Sequence, residues 1–128
     1  MTVRRPLVAV VDDEESVRRA VARMLVASHF DVETFASGQD FLDAVQQHRP
    51  DCVILDFQMP GLTGREVQRR LGLAQIRLPI IVVTAHDQAG IREQCLADGA
   101  LAYLSKPLQR APLVALIDEA VRPAVGNC

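Results

Sequence analysis

Four short apolar runs in this sequence each end in a residue that can carry charge or donate a hydrogen bond. Leu7–Val11 runs into Asp12 and Asp13, Cys52–Leu55 into Asp56, Ile80–Val83 into Thr84, and Leu101–Leu104 into Ser105-Lys106-Pro107. Taken singly, each has a bland explanation, because Asp caps helices, Thr ends strands and Lys is usually solvated. Capping does not explain why all four runs end this way, whereas a shared site does. Three carboxylates about 5 Å apart would repel by roughly 1 to 3 kcal/mol per pair, and Lys106 can offset only part of that. Either some of them hold protons, or a hard cation such as Mg²⁺ sits among them. The second alternative suits neutral pH and an open polar rim. Such an ion would also offset the charge of an incoming phosphoryl group, with the Lys106 ammonium and the Thr84 hydroxyl as further partners for its oxygens.

A carboxylate nucleophile, a metal, a cation and a hydroxyl donor together suit phosphoryl transfer onto aspartate, which needs positioning and charge stabilisation but no general base. Asp56 is the expected acceptor. It ends a central strand and is followed by the Met59-Pro60-Gly61 loop, which can shape backbone around it. Asp12 and Asp13 are then left to serve the metal.

The elements that must bring these residues together alternate along the chain. Leu7–Val11 reads as a strand buried on both faces, and the recurrence of Val17, Val21, Met24 and Leu25 reads as an amphipathic helix from Glu14 to near Ser28. The mixed segment Asp31–Phe35 suits an edge strand, and a helix from Gly38 to His48 follows with Phe41, Leu42 and Val45 inward. After the Cys52–Leu55 strand, a helix from Thr63 to Leu71 leads through Gly72 and Pro79 into the β-branched run Ile80–Val83. Ile91, Cys95 and Leu96 mark a helix stopped by Gly99 as a left-handed cap. Leu101–Leu104 is the fifth strand. Leu113 to Val121 marks a last helix, with Pro112 in its first turn and Pro123 beyond its end. Five strand–helix units imply an α/β domain with right-handed crossovers and a parallel sheet covered on both faces, and a barrel would need about eight. In such a sheet, ligands bind outside the carboxyl ends of the strands, where the polar residues above collect.

Composition bounds the function. The chain has 128 residues, 49% of them apolar and 23% charged, enough for one self-sufficient domain spanning 1–128. A net charge of -2 offers no footprint for direct nucleic-acid binding. No apolar run approaches the roughly 20 residues that span a bilayer, so no membrane partner and a cytoplasmic location are expected. Cys52, Cys95 and Cys128 lack metal-ligand spacing and suit a reducing compartment, and His29, His48 and His86 are scattered.

The motifs Val10-Val11-Asp12-Asp13-Glu14, Leu55-Asp56 with Met59-Pro60-Gly61 and Gly64, Val83-Thr84-Ala85, and Lys106-Pro107 resemble the receiver domains of two-component response regulators, in order and over the whole chain. The resemblance implies a flavodoxin-like, doubly wound sheet of strand order 2-1-3-4-5. It implies that Asp56 accepts a phosphoryl group from a histidine kinase or phosphotransfer protein. Asp13, Asp56 and the main-chain carbonyl of Gln58 would ligate Mg²⁺, with Asp12 helping directly or through water. Lys106 would pair with the phosphoryl group, Thr84 would move to hydrogen-bond it, and Tyr103 would rotate inward as the signal. The Lys106-Pro107 bond would be cis. Gln58 and His86 would tune the phosphoryl lifetime, and Phe57 is bulkier than the aliphatic residue expected after the acceptor. The output face would be the fourth helix, fifth strand and fifth helix, contacting an output domain or partner protein, with a homodimer on phosphorylation as a further expectation. The chain is thus expected to be a phosphoacceptor signalling domain rather than an enzyme. The alternatives are a phosphorylation-independent interaction module on the same fold, and a small phosphohydrolase. The latter would need a second carboxylate close after the nucleophile, where Gln58 stands.

Overall fold

The structure, a computed structural model, describes residues 5–121. The elements run β1 (Leu7–Val11), α1 (Glu15–Ala27), β2 (Asp31–Phe35), α2 (Gly38–Val45), β3 (Cys52–Asp56), α3 (Gly64–Leu73), β4 (Ile80–Thr84), α4 (Ile91–Ala97), β5 (Ala102–Ser105) and α5 (Arg110–Val121). All strand pairs are parallel, in the order β2-β1-β3-β4-β5, so the class and order match the expectation. β1, β3 and β4 are buried at every position, as their continuous apolar runs require, whereas no residue of the edge strand β2 is fully buried.

Alternation along the strands builds two cores. Val8, Val10, Cys52, Ile54, Ile81 and Val83 pack on one face with Val21 and Leu25 of α1 and Leu113 and Ile117 of α5. Ala9, Val11, Val53, Leu55, Val82 and Tyr103 pack on the other with Phe41 of α2, Val67 and Leu71 of α3 and Cys95 of α4. Each side chain of this kind withdrawn from water contributes about 1.5 to 3 kcal/mol, so the helix stripes are bound to their faces.

Several boundaries differ from the sequence expectation for physical reasons. α2 ends at Val45, not His48, because Gln46, Gln47 and His48 are exposed and have nothing to bury. The N–H groups of Gln47 and His48 both turn back to the Ala44 carbonyl, and Pro50 disfavours helical backbone at Arg49. α3 continues past Leu71 to Leu73, since Gly72 only weakens a helix and does not stop it. α1 starts one residue later than expected, with Glu14 as its extended cap. β5 lies one residue later, leaving Leu101 44% exposed. α5 starts at Arg110, which places Pro112 third, where its missing N–H costs nothing. Pro123 and Cys128 lie outside the described residues.

Three helices end in the same motif. After α4, Gly99 (φ 106°) donates to Leu96 and Ala100 donates to Cys95. His29 (φ 72°) and Gln75 (φ 60°) occupy the equivalent left-handed position after α1 and α3, with Phe30 donating to Leu25 and Ile76 to Leu71. In each case the pair closing the loop is apolar or small and sits in one core.

Candidate functional site

The parallel register brings the ends of β1, β3, β4 and β5 to one edge, with Val11 beside Leu55, Asp56 beside Val83 and Thr84 beside Ser105. Asp12 and Asp56 are 2% and 3% exposed, while Asp13 faces solvent. Carboxylate oxygens of the three lie within 4.8 Å of one another. Lys106 Nζ donates to Asp12 Oδ2 at 2.8 Å and lies 3.5 Å from Asp56 Oδ2. Lys106 is the only lysine of the chain.

Local backbone completes the cradle. Glu14 N–H donates to Asp12 Oδ1 at 2.9 Å, Gln58 N–H donates to Asp56 Oδ1 at 3.3 Å, and Arg18 donates from its guanidinium to the Asp12 carbonyl at 2.8 Å. α3 begins hard against the end of β3: a Cβ on Gly64 would lie 2.6 Å from the Asp56 carbonyl oxygen and 2.8 Å from Phe57 Cα. Only glycine permits that approach. The Thr63–Glu66 capping box fixes this helix start, with Glu66 N–H donating to Thr63 Oγ1 and Thr63 N–H to Glu66 Oε1.

Charge is the dominant feature. Burial first, then the Asp12 carboxylate, pushes the Asp56 carboxyl up to about 6, against the opposing pull of Lys106 and the Gln58 N–H. Burial disfavours the Lys106 ammonium, but Asp12 and Asp56 outweigh it and hold its pKa above the ordinary lysine value. Three carboxylates against one ammonium, with oxygen as the sole donor type, fit a hard cation, and this is the one such cluster among the described residues.

The Thr84 side chain is fully buried and is engaged by the β4–α4 loop. Its hydroxyl donates to the His86 carbonyl at 3.2 Å and accepts from the His86 N–H at 3.1 Å. Tyr103 is already inside, 5% exposed, and its hydroxyl donates to Asp87 Oδ1 at 3.0 Å. The edge therefore gathers Asp12, Asp13, Asp56 and Lys106 closely, while Thr84, His86 and Tyr103 form a neighbouring group around the β4–α4 loop. Gln58 is exposed beside Asp56, and the Lys106-Pro107 peptide is cis. Sequence reasoning missed Asp87 and Arg18: a loop aspartate and a helix arginine carry no signal by type, and only their distance after Thr84 and Asp12 could have drawn attention. Cys52 and Cys95 are buried free thiols, Cys52 pushed up to about 12 by burial, which leaves them unreactive.

Comparison with known proteins gives a consistent picture. Residues 8–118 match the family described as response regulator receiver domain. The transcriptional regulatory protein FixJ of Bradyrhizobium diazoefficiens is 34% identical over 115 residues, 90% of this chain and 56% of that protein. The DNA-binding transcriptional regulator NtrC of Klebsiella pneumoniae is 33% identical over 119 residues, 93% of this chain and 25% of that protein. A crystal structure of a response regulator receiver protein from Burkholderia phymatum is 48% identical with a TM-score of 0.81, covering 91% of this chain and 95% of that one. The chain thus spans a quarter to about half of the curated relatives named here. No helix among the described residues is long and apolar enough to cross a membrane. With the sheet order, the acidic edge and these matches in agreement, the chain belongs to the response-regulator receiver family of two-component systems.

Proposed function

We propose that this chain is a phosphorylation switch in which Asp56 accepts a phosphoryl group from the phosphohistidine of a kinase or phosphotransfer protein. The observation that carries the reading is Lys106 Nζ placed between Asp12 and Asp56, with Asp13 closing the acidic cluster. An Asp56 oxygen attacks phosphorus, the acyl phosphate O–P bond forms, and the N–P bond to the donor imidazole breaks. Lys106, already within reach of Asp56, turns from Asp12 toward the phosphoryl oxygens. Asp12, Asp13, Asp56 and the Gln58 main-chain carbonyl would hold a divalent cation such as Mg²⁺. When bound, it supplies charge neutralisation for a carboxyl that burial and Asp12 push up to about 6.

Thr84 then exchanges its two hydrogen bonds with His86 for one to the phosphoryl group, and the β4–α4 loop and Tyr103 respond. Gln58 and His86, flanking the acceptor and the hydroxyl, set how readily water reaches the phosphoryl group. The output face is α4, β5 and α5, which would meet an output domain or partner, or a second copy, in the cytoplasm. Residues 1–128 act as one receiver unit, which assists its own phosphotransfer and dephosphorylation rather than turning over an external substrate.

The test is intact mass after incubation with Mg²⁺ and acetyl phosphate. A single phosphate gain in the wild type and none in Asp56→Asn supports the reading; no gain in a folded wild type, with either small donor or cognate kinase, overturns it.

A further inference from the structure

The β4–α4 loop, residues 85–90, is exposed throughout, and α4 begins behind Gly90 (φ 87°) with no side-chain cap. Two side-chain tethers hold this otherwise open loop. One is the Thr84 hydroxyl on the His86 backbone; the other is the Asp87 carboxylate, which accepts from the Tyr103 hydroxyl at 3.0 Å. Adjacent loop residues are thus tied to the two side chains that a receiver would use to respond. The Tyr103 ring is packed in the core with Val82 and Cys95. A phenol drawn that far in needs a partner for its hydroxyl, and Asp87 reaches back from the solvent side to provide one.

We propose that Asp87 is a positioning residue that couples Thr84 to Tyr103. Its carboxylate anchors Tyr103 in the buried position, and a shift of the loop when Thr84 leaves His86 passes to the ring through this hydrogen bond. The second half of the proposal rests on Asp56 being the phosphoacceptor; the first half does not. Burial, then the Asp87 carboxylate, pushes the phenol up to about 12, against a smaller opposing pull from the Thr84 hydroxyl. Loss of a hydrogen bond to a charged acceptor shifts the balance between buried and exposed ring by about tenfold or more. Asparagine at position 87 keeps an acceptor oxygen and should keep most of the anchor, while alanine removes it.

The chain has no tryptophan and one tyrosine, so tyrosine emission reports Tyr103 alone. The experiment is acrylamide quenching of the full chain as wild type, Asp87→Asn and Asp87→Ala, before and after acetyl phosphate with Mg²⁺, with intact mass measured in parallel. The expected result is a quenching constant raised several-fold in resting Asp87→Ala but near wild type in Asp87→Asn. After phosphorylation, wild type should show a change in Tyr103 accessibility that Asp87→Ala lacks, although both gain one phosphate. A wild-type quenching constant in resting Asp87→Ala, or a full phosphorylation-induced change in that variant, overturns the proposal. Because the resting comparison needs no phosphate, failure of all three proteins to gain mass would overturn the functional reading while the alanine-to-asparagine difference still decides the anchor.

Discussion

The functional edge of the sheet divides between its two faces, and the two halves are built differently. Asp12, Asp56 and Lys106 continue the alternation of Val10, Ile54 and Leu104, whose side chains join the core under α1 and α5. Thr84 and Tyr103 follow Val82 instead, toward the core under α2, α3 and α4. The first half is held by an ion pair, by backbone N–H groups and by a helix start pressed against the Asp56 carbonyl. The second is held by three side-chain hydrogen bonds to one exposed loop. Fixed geometry would suit the first half if, as proposed, it stabilises charge at a reacting atom. Weak tethers, worth about 0.5 to 3 kcal/mol each, would suit the second half if, as proposed, it has two arrangements close in free energy. The sheet's two-residue period thus separates the acidic cluster proposed to receive phosphate from the loop-bound group proposed to respond to it.

The strongest way to break this contrast is at Gly64. A Cβ there meets two backbone atoms, the Asp56 carbonyl oxygen and Phe57 Cα, neither of which can rotate away. Gly64→Ala should lower unfolding free energy by about 3 kcal/mol, toward the upper end of overpacking costs, and displace the acceptor enough to slow phosphate uptake. Gly72→Ala on the same helix meets nothing within 4 Å and should be neutral or stabilising by up to about 1 kcal/mol. Urea unfolding of the pair measures both. Equal stabilities would show that the β3–α3 junction relaxes freely and that the receiving half is not rigid.

Next in size is the charge held in that half. Asp56 is pushed up to about 6 in the folded chain, so between about pH 4 and pH 6 the folded state binds more protons than the unfolded one. Its contribution to stability is therefore present below the unfolded pKa and is lost as pH rises through the folded one. Without divalent cation, Asp56→Asn should match wild type near pH 4 and exceed it by about 2 to 3 kcal/mol at pH 7. Mg²⁺ should narrow that gap by stabilising the wild type, by about 2.7 kcal/mol at a hundredfold excess over its Kd, and leave the variant nearly unmoved. Denaturant titrations at several pH values give the difference directly, and a gap that stays constant with pH would mean the carboxylates are not in strain.

The same contrast marks what the sequence made legible. Buried strands were readable because Leu7–Val11, Cys52–Leu55 and Ile80–Val83 are unbroken apolar runs, and β2 because it is not. Asp12, Asp13, Asp56 and Lys106 were readable because each stands within two residues of the end of a run, so that topology alone gathers them. Gly99 carries the familiar letter of a left-handed cap, but His29 and Gln75 do the same work with no such letter. Their positions are set by Phe30 and Ile76 entering the core, a tertiary constraint. Asp87 was illegible for a related reason: a loop aspartate acquires a role only once packing has placed Tyr103 beneath it.

The smallest expected effect lies at the seam between the halves, where α3, which abuts Asp56, meets α4, which borders the β4–α4 loop. Arg65 of α3 pairs with Asp98 just beyond α4 at 3.3 Å, and Gln68 Nε2 donates to the Cys95 carbonyl at 3.3 Å. Gln68 is 4% exposed, and its Oε1 has no hydrogen-bond partner among the described residues, which leaves a buried acceptor desolvated. The Cys95 carbonyl does not depend on Gln68, because it also accepts from the Ala100 N–H at 3.0 Å. Gln68→Met keeps the length of the side chain and removes both the orphan and the replaceable bond. It should leave stability unchanged or raise it by about 1 kcal/mol, with phosphate uptake intact and the Tyr103 response to phosphorylation undiminished. Thermal unfolding and single-tyrosine emission check both at once. A clear loss of stability, or a weakened Tyr103 response, would instead make Gln68 a tie through which the rigid half restrains the mobile one, and the two halves would then be less separate than the alternation of the strands implies.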